Sequence, residues 1–242
     1  MNCPPRLREA LSPDPESTMT PSETIRARLA AAGVPFCAND SIAEHLQPGE
    51  MDALLDEVAE KAGALLDSLV IDRASDHNTN DTARRIAKLY LREVFRGRYD
   101  PPPALTDFPN AKKVDQMYVV GPISIRSTCS HHFAPILGHA WVGVIPGERV
   151  IGLSKFNRIA DWIFSRPQIQ EEAVMQLADR LEEAVKPLGL GIIVRAKHQC
   201  CSWRGVRDDT AMVSSEMRGL FRTDSDARAE LMALVGQGVT CQ

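Results

Sequence analysis

The hydrophobic periodicity of the chain changes near Gln116, and this change divides it into two regions. Before it, apolar residues recur at three and four positions, which is the period of amphipathic helices. After it, Met117 to Ile125 and Ala140 to Ile145 are rich in Val, Ile and aromatic residues, which favour strands. A chain with helices first, and then strands mixed with further helices, is predicted to have an α+β fold.

The helical region is predicted to contain three helices: Ser22 to Ala32 with Ser22 as N-cap, Glu50 to Leu69, and one from Asp81 or Thr82 to Phe95. The run Asp100-Pro101-Pro102-Pro103 breaks regular structure and indicates a linker. We therefore predict a disordered, proline-containing tail over 1–21, a helical region over 22–100 and a larger domain over 101–242. Met19 is an alternative first residue.

The larger domain is predicted to continue with alternating helices and strands. The predicted elements are a helix Gly152 to Phe164 with Ser154 as N-cap, a helix from Pro167 to near Pro187, strands Gly191 to His198 and Thr210 to Phe221, and a closing helix Asp224 to Val235.

A possible metal site lies between the first two predicted strands. Cys129 and His132 have the spacing C-x-x-H, and Cys200 follows a distant strand. Two thiolates and an imidazole suit Zn²⁺, and three protein ligands leave a fourth position for water. In a regular strand His198 and Cys200 would point to one side and Cys201 to the other. The alternative is that these cysteines are small core residues.

The composition excludes several classes of protein. The net charge is −4, so no basic surface indicates nucleic acid, and the longest apolar runs are too short for a membrane span. The six cysteines show no regular framework, which favours a reducing, cytoplasmic location over a disulfide scaffold.

Two further clusters suit a nucleotide. Ser154, Lys155 and Arg158 lie at a predicted helix start, where free N–H groups and cations suit phosphate, although these residues alone favour a capped helix with surface cations. Gln170 and Glu171 lie in the first turn of the next helix, where the helix dipole stabilises a carboxylate. The second interpretation is that Glu171 accepts two N–H groups of a guanine ring.

Taken together, the ordered motifs resemble the GTP cyclohydrolase I family over roughly Thr82 to Leu234. The resemblance rests on STCSHHFAPILG (127–138), VIGLSKFNRIADW (150–162), RPQIQEE (166–172), KHQCCSWRGV (197–206) and RGLFRTD (218–224). It implies the tunnelling fold (T-fold), an antiparallel four-stranded sheet backed by two helices, with an N-terminal helical arm. It also implies a ring-shaped homo-oligomer, typically a decamer, with active sites at subunit interfaces.

The resemblance also implies roles for residues. The implied zinc ligands are Cys129, His132 and Cys200, and the implied catalytic residues are His131 and His198. The implied triphosphate ligands are Ser154, Lys155, Arg158 and Arg204, together with Arg85 from a neighbouring subunit. The implied guanine ligands are Gln170 and Glu171. The implied reaction opens GTP at C8 with release of formate and recloses it to 7,8-dihydroneopterin triphosphate, the first step towards tetrahydrofolate and other pterins. His198 is expected to protonate N7, and His131 to transfer protons as the ring opens.

One departure and two alternatives accompany this interpretation. Ser130 stands where the family commonly has Glu, so no role is transferred to that position. The same chemistry can feed 7-deazapurines or secondary metabolism. A non-catalytic zinc-binding oligomeric scaffold is the other alternative, and it would require a fourth protein ligand.

Overall fold

A computed structural model describes residues 19–239, with side chains to residue 236. Its helical region contains α1 (Pro21–Ala31), α2 (Glu50–Ser68), α3 (Thr82–Lys88), a π-helical segment (Leu89–Val94) and α4 (Arg96–Tyr99). The predicted third helix is therefore interrupted, because its hydrogen bonding changes to the wider π pattern at Leu89. The predicted disordered tail lies largely outside the described residues, and its last two positions, Thr20 and Pro21, begin α1.

Helices α1 and α2 pack through one apolar core, formed by Ile25, Leu29, Ile42, Leu54, Leu55, Ala87 and Leu91. The predicted cap of α1 is wrong by two residues. Thr20 is the N-cap, and it forms a reciprocal capping box with Glu23. Ser22 instead donates from its backbone N–H and its hydroxyl to the carboxylate of Glu57 on α2, at 2.8 and 2.7 Å.

The larger domain is built on a sheet with the strand order β5-β2-β3-β6-β7. Its strands are β2 (Tyr118–Cys129), β3 (Pro135–Ile145), β5 (Pro167–Gln168), β6 (Gly189–His198) and β7 (Ala211–Gly219), while β1 (Asp107–Pro109) and β4 (Arg149–Ile151) form a separate ribbon. The antiparallel run β2-β3-β6-β7 agrees with the predicted four-stranded sheet. The two-residue β5 adds a parallel strand beside Thr128 and Cys129.

Two long helices cover one face of this sheet, α5 (Leu153–Phe164) and α6 (Gln170–Val185). Phe156, Ile159, Leu177 and Leu181 are buried there with the inward residues of β2, β3 and β6. The other face is covered in part by the short α8 (Leu220–Thr223) and by α9 (Ser225–Val239), and Phe221 of α8 packs there with Leu231 of α9 and with Trp141. This is an α+β arrangement with helices on both faces of a mainly antiparallel sheet.

Two predicted helix starts in this domain are wrong. Pro167 does not begin a helix, because it and Gln168 pair with β2, and α6 begins at Gln170. Gly152, rather than Ser154, is the N-cap of α5, and it has no side chain to cap with. Ser154 is already inside the helix.

Arg166 joins the helical region to the sheet domain. Arg166 is 4% exposed, and its guanidinium donates to the backbone carbonyls of Gly97 and Asn39 at 3.0 and 3.1 Å. Its guanidinium also lies 3.8 Å from the centre of the Trp162 ring. The two predicted regions therefore share buried polar contacts. None of the described helices is long and apolar enough to cross a membrane.

Candidate active site

The predicted metal ligands come together at one end of the sheet. Cys129 ends β2, His132 lies in the turn to β3, and Cys200 lies just beyond β6. The central strand explains their meeting, because Ile136 of β3 faces Ser127 on one side and His198 on the other. The ligand atoms of the three residues all lie within 4.8 Å of one another.

The route by which Cys200 reaches the cluster differs from the prediction. Strand β6 ends at His198, and Gln199–Ser202 form a helical turn, α7. The expectation that His198 and Cys200 share a strand face is therefore wrong, because alternation stops at His198. The neighbouring Cys201 is exposed.

The donor set fits a soft or borderline cation. Burial, followed by the adjacent Cys129 and Cys201 thiols, raises the pKa of the Cys200 thiol to about 11. A cation bound between these adjacent cysteines would stabilise their thiolate forms, so the cluster suits a positively charged ligand. The ligand atoms of one tetrahedral zinc ion lie about 3.3 to 3.8 Å apart, and separations of no more than 4.8 Å in this cluster are close to that spacing.

The turn that carries His132 is held on both sides. The N–H of Cys129 donates to the carbonyl of Ala134 at 2.8 Å, and the N–H of Ser130 donates to the carbonyl of Gln168 in β5 at 3.2 Å. Phe133 has a left-handed backbone, with φ of 53°, which is uncommon outside glycine and asparagine. Its ring contacts Phe95 and Tyr90 at centroid distances of 5.2 and 5.8 Å.

The two predicted catalytic histidines flank the cluster. His131 Nδ1 lies 3.7 Å from Cys129 Sγ. His198 Nε2 lies 2.9 Å from Gln170 Oε1. Partial burial lowers the pKa of His198 below its usual value, and the charge of Glu171 opposes that effect. Arg204 reaches the same place, since its Nη1 lies 3.0 Å from His132 Nε2.

Gln170, a predicted guanine ligand, is 2% exposed, and its amide is hydrogen-bonded within the chain. Glu171, the other member of that pair, is exposed beside His198. Both lie at the metal end of the sheet, because α6 begins directly after β5.

The predicted phosphate ligands on α5 lie elsewhere in the same chain. Helix α5 begins after β4 and ends near β5, so its first turn is about 18 Å, twelve residues of helix, from the metal end. Lys155 at this start donates to the carbonyl of Ala104 at 3.0 Å. Arg85, on α3, pairs with Asp81 at 3.3 Å. The structure therefore brings Arg204 to the metal cluster, but not Ser154, Lys155 and Arg158.

Comparison with known proteins decides the family. A model of the family described as GTP cyclohydrolase I matches residues 58–236, which is most of the chain. The chain belongs to the GTP cyclohydrolase I family. This agrees with the resemblance of the motifs in its sequence.

Relatives within the GTP cyclohydrolase I family are similar over most of their own length. GTP cyclohydrolase 1 of Aeromonas hydrophila is 41% identical over 172 residues, covering 70% of this chain and 78% of that protein. GTP cyclohydrolase 1 of Yersinia enterocolitica is 40% identical over 163 residues, covering 66% of this chain and 74% of that protein. A solved structure, the apo form of the archaeosine synthase QueF-Like, matches with a TM-score of 0.32 at 16% identity, over 48% of this chain and 96% of that chain.

Sequence reasoning about the GTP cyclohydrolase I motifs missed three supporting residues. Gln168 and Phe133 hold the metal turn, and the hydroxyl of Ser214 on β7 accepts a hydrogen bond from the Gln170 amide at 2.8 Å. The doubled Gln in RPQIQEE and the aromatic after His132 were visible in the sequence. Ser214 carried no such signal, because its partner lies 44 positions away.

Proposed function

We propose that the protein is a zinc-dependent GTP cyclohydrolase I, which opens GTP at C8, releases formate and recloses the product to 7,8-dihydroneopterin triphosphate. The observation that carries the proposal is the convergence of Cys129, His132 and Cys200, with His131 and His198 beside them. Membership of the family supports it.

Cys129, His132 and Cys200 would hold the metal. When bound, zinc supplies an activated water at neutral pH, which is the nucleophile that C8 of the purine requires. The side chains that flank the site then determine which protons move. Three protein ligands are what a catalytic zinc site uses, whereas a structural site is closed by four.

His198 and His131 would handle these protons. We assign to His198 the protonation of N7, which draws electrons away from C8. We assign to His131 the proton transfers that accompany opening of the imidazole ring. His198 is partly buried and contacts the Gln170 amide oxygen, while His131 is exposed and adjacent to Cys129.

The substrate would be held by residues of more than one subunit. Arg204 lies at the metal end, and Glu171 beside His198 is placed to accept N–H groups of guanine. Ser154, Lys155 and Arg158 lie a helix length away in the same chain, so we propose that a second copy supplies them, together with Arg85. This requires the T-fold ring, with subunits joined through their sheets.

The fate of the product separates the remaining alternatives. A pterin product feeds folate or related pathways, and the same chemistry can also feed 7-deazapurines. A zinc-bound scaffold without turnover is less well supported, because a cluster of three ligands, as found among the described residues, does not close a structural site.

The decisive measurement is GTP turnover by the purified, zinc-loaded protein, with formate and the near-ultraviolet absorption of the pterin product followed together. We expect both signals, and we expect a chelator to abolish both. Formate without pterin would indicate a diverged enzyme that opens the ring only. Absence of both products, with zinc bound, would contradict the proposed function.

A further inference from the structure

The side chain of Gln170 is surrounded by groups that determine which way its amide points. Its nitrogen lies 3.3 Å from the carbonyl oxygen of Val194, 3.5 Å from that of Met212 and 2.8 Å from the hydroxyl of Ser214. Backbone carbonyls only accept hydrogen bonds, so the amide NH₂ must face them. The amide oxygen must then face His198.

This orientation fixes the hydrogen bond to the histidine. Gln170 Oε1 lies 2.9 Å from His198 Nε2 and can only accept, so Nε2 of His198 is the donor and carries a hydrogen. The ring therefore has one tautomer when neutral, and its Nδ1 is the nitrogen left for other partners.

Ser214 makes the shortest contact with the amide nitrogen of Gln170. It lies on β7 directly opposite Val194 of β6, on the face of the sheet that packs against α6. Its hydroxyl accepts the shortest of the three hydrogen bonds from the Gln170 amide. Gln170 itself is 2% exposed, so its amide depends on partners within the chain for its hydrogen bonds.

We propose that Ser214 is a positioning residue for the reaction: through the Gln170 amide it holds the His198 ring in the Nε2–H tautomer and in one orientation. This inference rests on the proposed function, because it gives His198 a role in turnover. It also reassigns the Gln170 side chain from reading guanine to orienting His198, and leaves Glu171 as the group that faces the base.

The test compares three variants as zinc-loaded proteins. Ser214→Ala removes the hydroxyl, and Ser214→Thr retains it. The matched control is Ser215→Ala. Ser215 lies on the opposite face of β7, because it pairs with Ile193, which packs on the face covered by α9. For each protein, zinc per chain, kcat and KM for GTP are measured. The rate at which diethyl pyrocarbonate modifies His198 is measured by peptide mass mapping.

We expect Ser214→Ala to lower kcat by about two- to tenfold, which is the loss of one hydrogen bond, while zinc content and KM stay close to those of the unmodified chain. The modification of His198 should become at least about two-fold faster, because loss of the bond frees the ring. Ser214→Thr and Ser215→Ala should behave as the unmodified chain does.

Three results would overturn the inference. They are an unchanged kcat and modification rate in Ser214→Ala, an equal loss in Ser214→Thr, and a rise in KM alone, which would mean that Gln170 binds the substrate directly. If the unmodified chain does not turn over GTP, the proposed function fails. The modification rates then still decide whether Ser214 positions His198.

Discussion

Individual residues at the metal end differ sharply in what their loss should cost, and the two adjacent cysteines show this most clearly. Cys200 belongs to the ligand cluster, whereas Cys201 is exposed beside it. We expect Cys200→Ala to lose zinc and turnover together, because two ligands hold the ion much more weakly than three. Cys201→Ala should retain both. Zinc per chain after dialysis, measured by mass spectrometry, is the readout, and full zinc retention by Cys200→Ala would remove Cys200 from the site.

His198 provides a complementary prediction, because it flanks the cluster without belonging to it. We expect His198→Ala to keep zinc but to reduce kcat by about 100-fold or more, since a positioned proton donor contributes that much. The comparison is His139→Ala, a histidine further along β3 and not in the ligand cluster, which should leave kcat unchanged. Near-normal turnover in His198→Ala would assign N7 protonation to another group.

At this scale the sequence predicted much of the site. Spacing and motif order identified Cys129, His132 and Cys200, because short motifs carry local chemistry. They did not identify Ser214 or Gln168, whose roles depend on pairing between β6 and β7 and between β2 and β5. Such contacts depend on strand register, and one sequence does not specify register across distant segments.

Between elements, the contact of the metal turn with the π-helical segment yields a third prediction. Phe133 packs on Phe95 and Tyr90, and this contact accompanies an unfavourable left-handed backbone. We expect Phe133→Ala to weaken zinc binding by roughly three- to tenfold, the value of an aromatic pair. Phe133→Tyr should retain the affinity. Competition with a chromogenic chelator measures it, and equal affinities in all three proteins would mean that the turn holds itself.

The joint between α1 and α2 gives a prediction about pH. Glu57 is 8% exposed, and although burial raises the pKa of this carboxyl, hydrogen bonds from Lys61 and Ser22 outweigh it and lower the pKa to about 2. Because the pKa of Glu57 in the folded protein is below the usual value of about 4.3, the ionised carboxylate stabilises the folded state at neutral pH. It disappears as the pH falls from about 4.3 through about 2.

Glu57→Gln should therefore lower the free energy of unfolding by about 3 kcal/mol at pH 7, and by much less near pH 2. Urea unfolding at both values measures the difference. Glu60→Gln, at an exposed position of α2, is the control and should leave the free energy of unfolding unchanged at both pH values. A Glu57→Gln deficit that does not vary with pH would mean that shape, rather than charge, matters at this joint.

Elements as a class were well predicted where the hydrophobic period was long and regular, as in α2 and α5. The errors lie at short, irregular pieces. Pro167 suits a first helical position by its own conformation, but pairing with β2 overrides that preference. The π-helical segment was missed because its hydrogen bonding differs from that of an α-helix, while its apolar spacing hardly does.

For the molecule as a whole, Arg166 is the residue whose loss should separate its two regions. Burial lowers the pKa of Arg166 to about 10, and the side chain donates to the carbonyls of Gly97 and Asn39 across the boundary and to the amide of Gln176 on its own side. Arg166→Met would remove the side-chain donor from the buried carbonyl of Gly97 and from the partly buried carbonyl of Asn39, and we expect it to cost roughly 2 to 4 kcal/mol.

The signature of that loss should be regional. We expect faster proteolysis in the linker over 100–106 and a lower Tm, both measured on the intact protein. Arg84→Met, which removes an exposed ion pair with Asp56, is the matched control and should change neither the rate of proteolysis nor the Tm. Unchanged proteolysis in Arg166→Met would show that apolar packing alone joins the two regions.

The two edges of the main sheet also differ in a way that would govern the proposed ring assembly. Strand β5 pairs only with Thr128 and Cys129, so within the described residues the rest of β2 has a free edge, and β7 forms the other. Since these two edges are different surfaces, joining copies edge to edge is a head-to-tail contact with a direction. The copy number of a closed ring is then determined by the rotation between neighbours. In such a ring, one copy with a blocked β7 edge stops closure altogether, so a defective chain would act dominantly over intact ones.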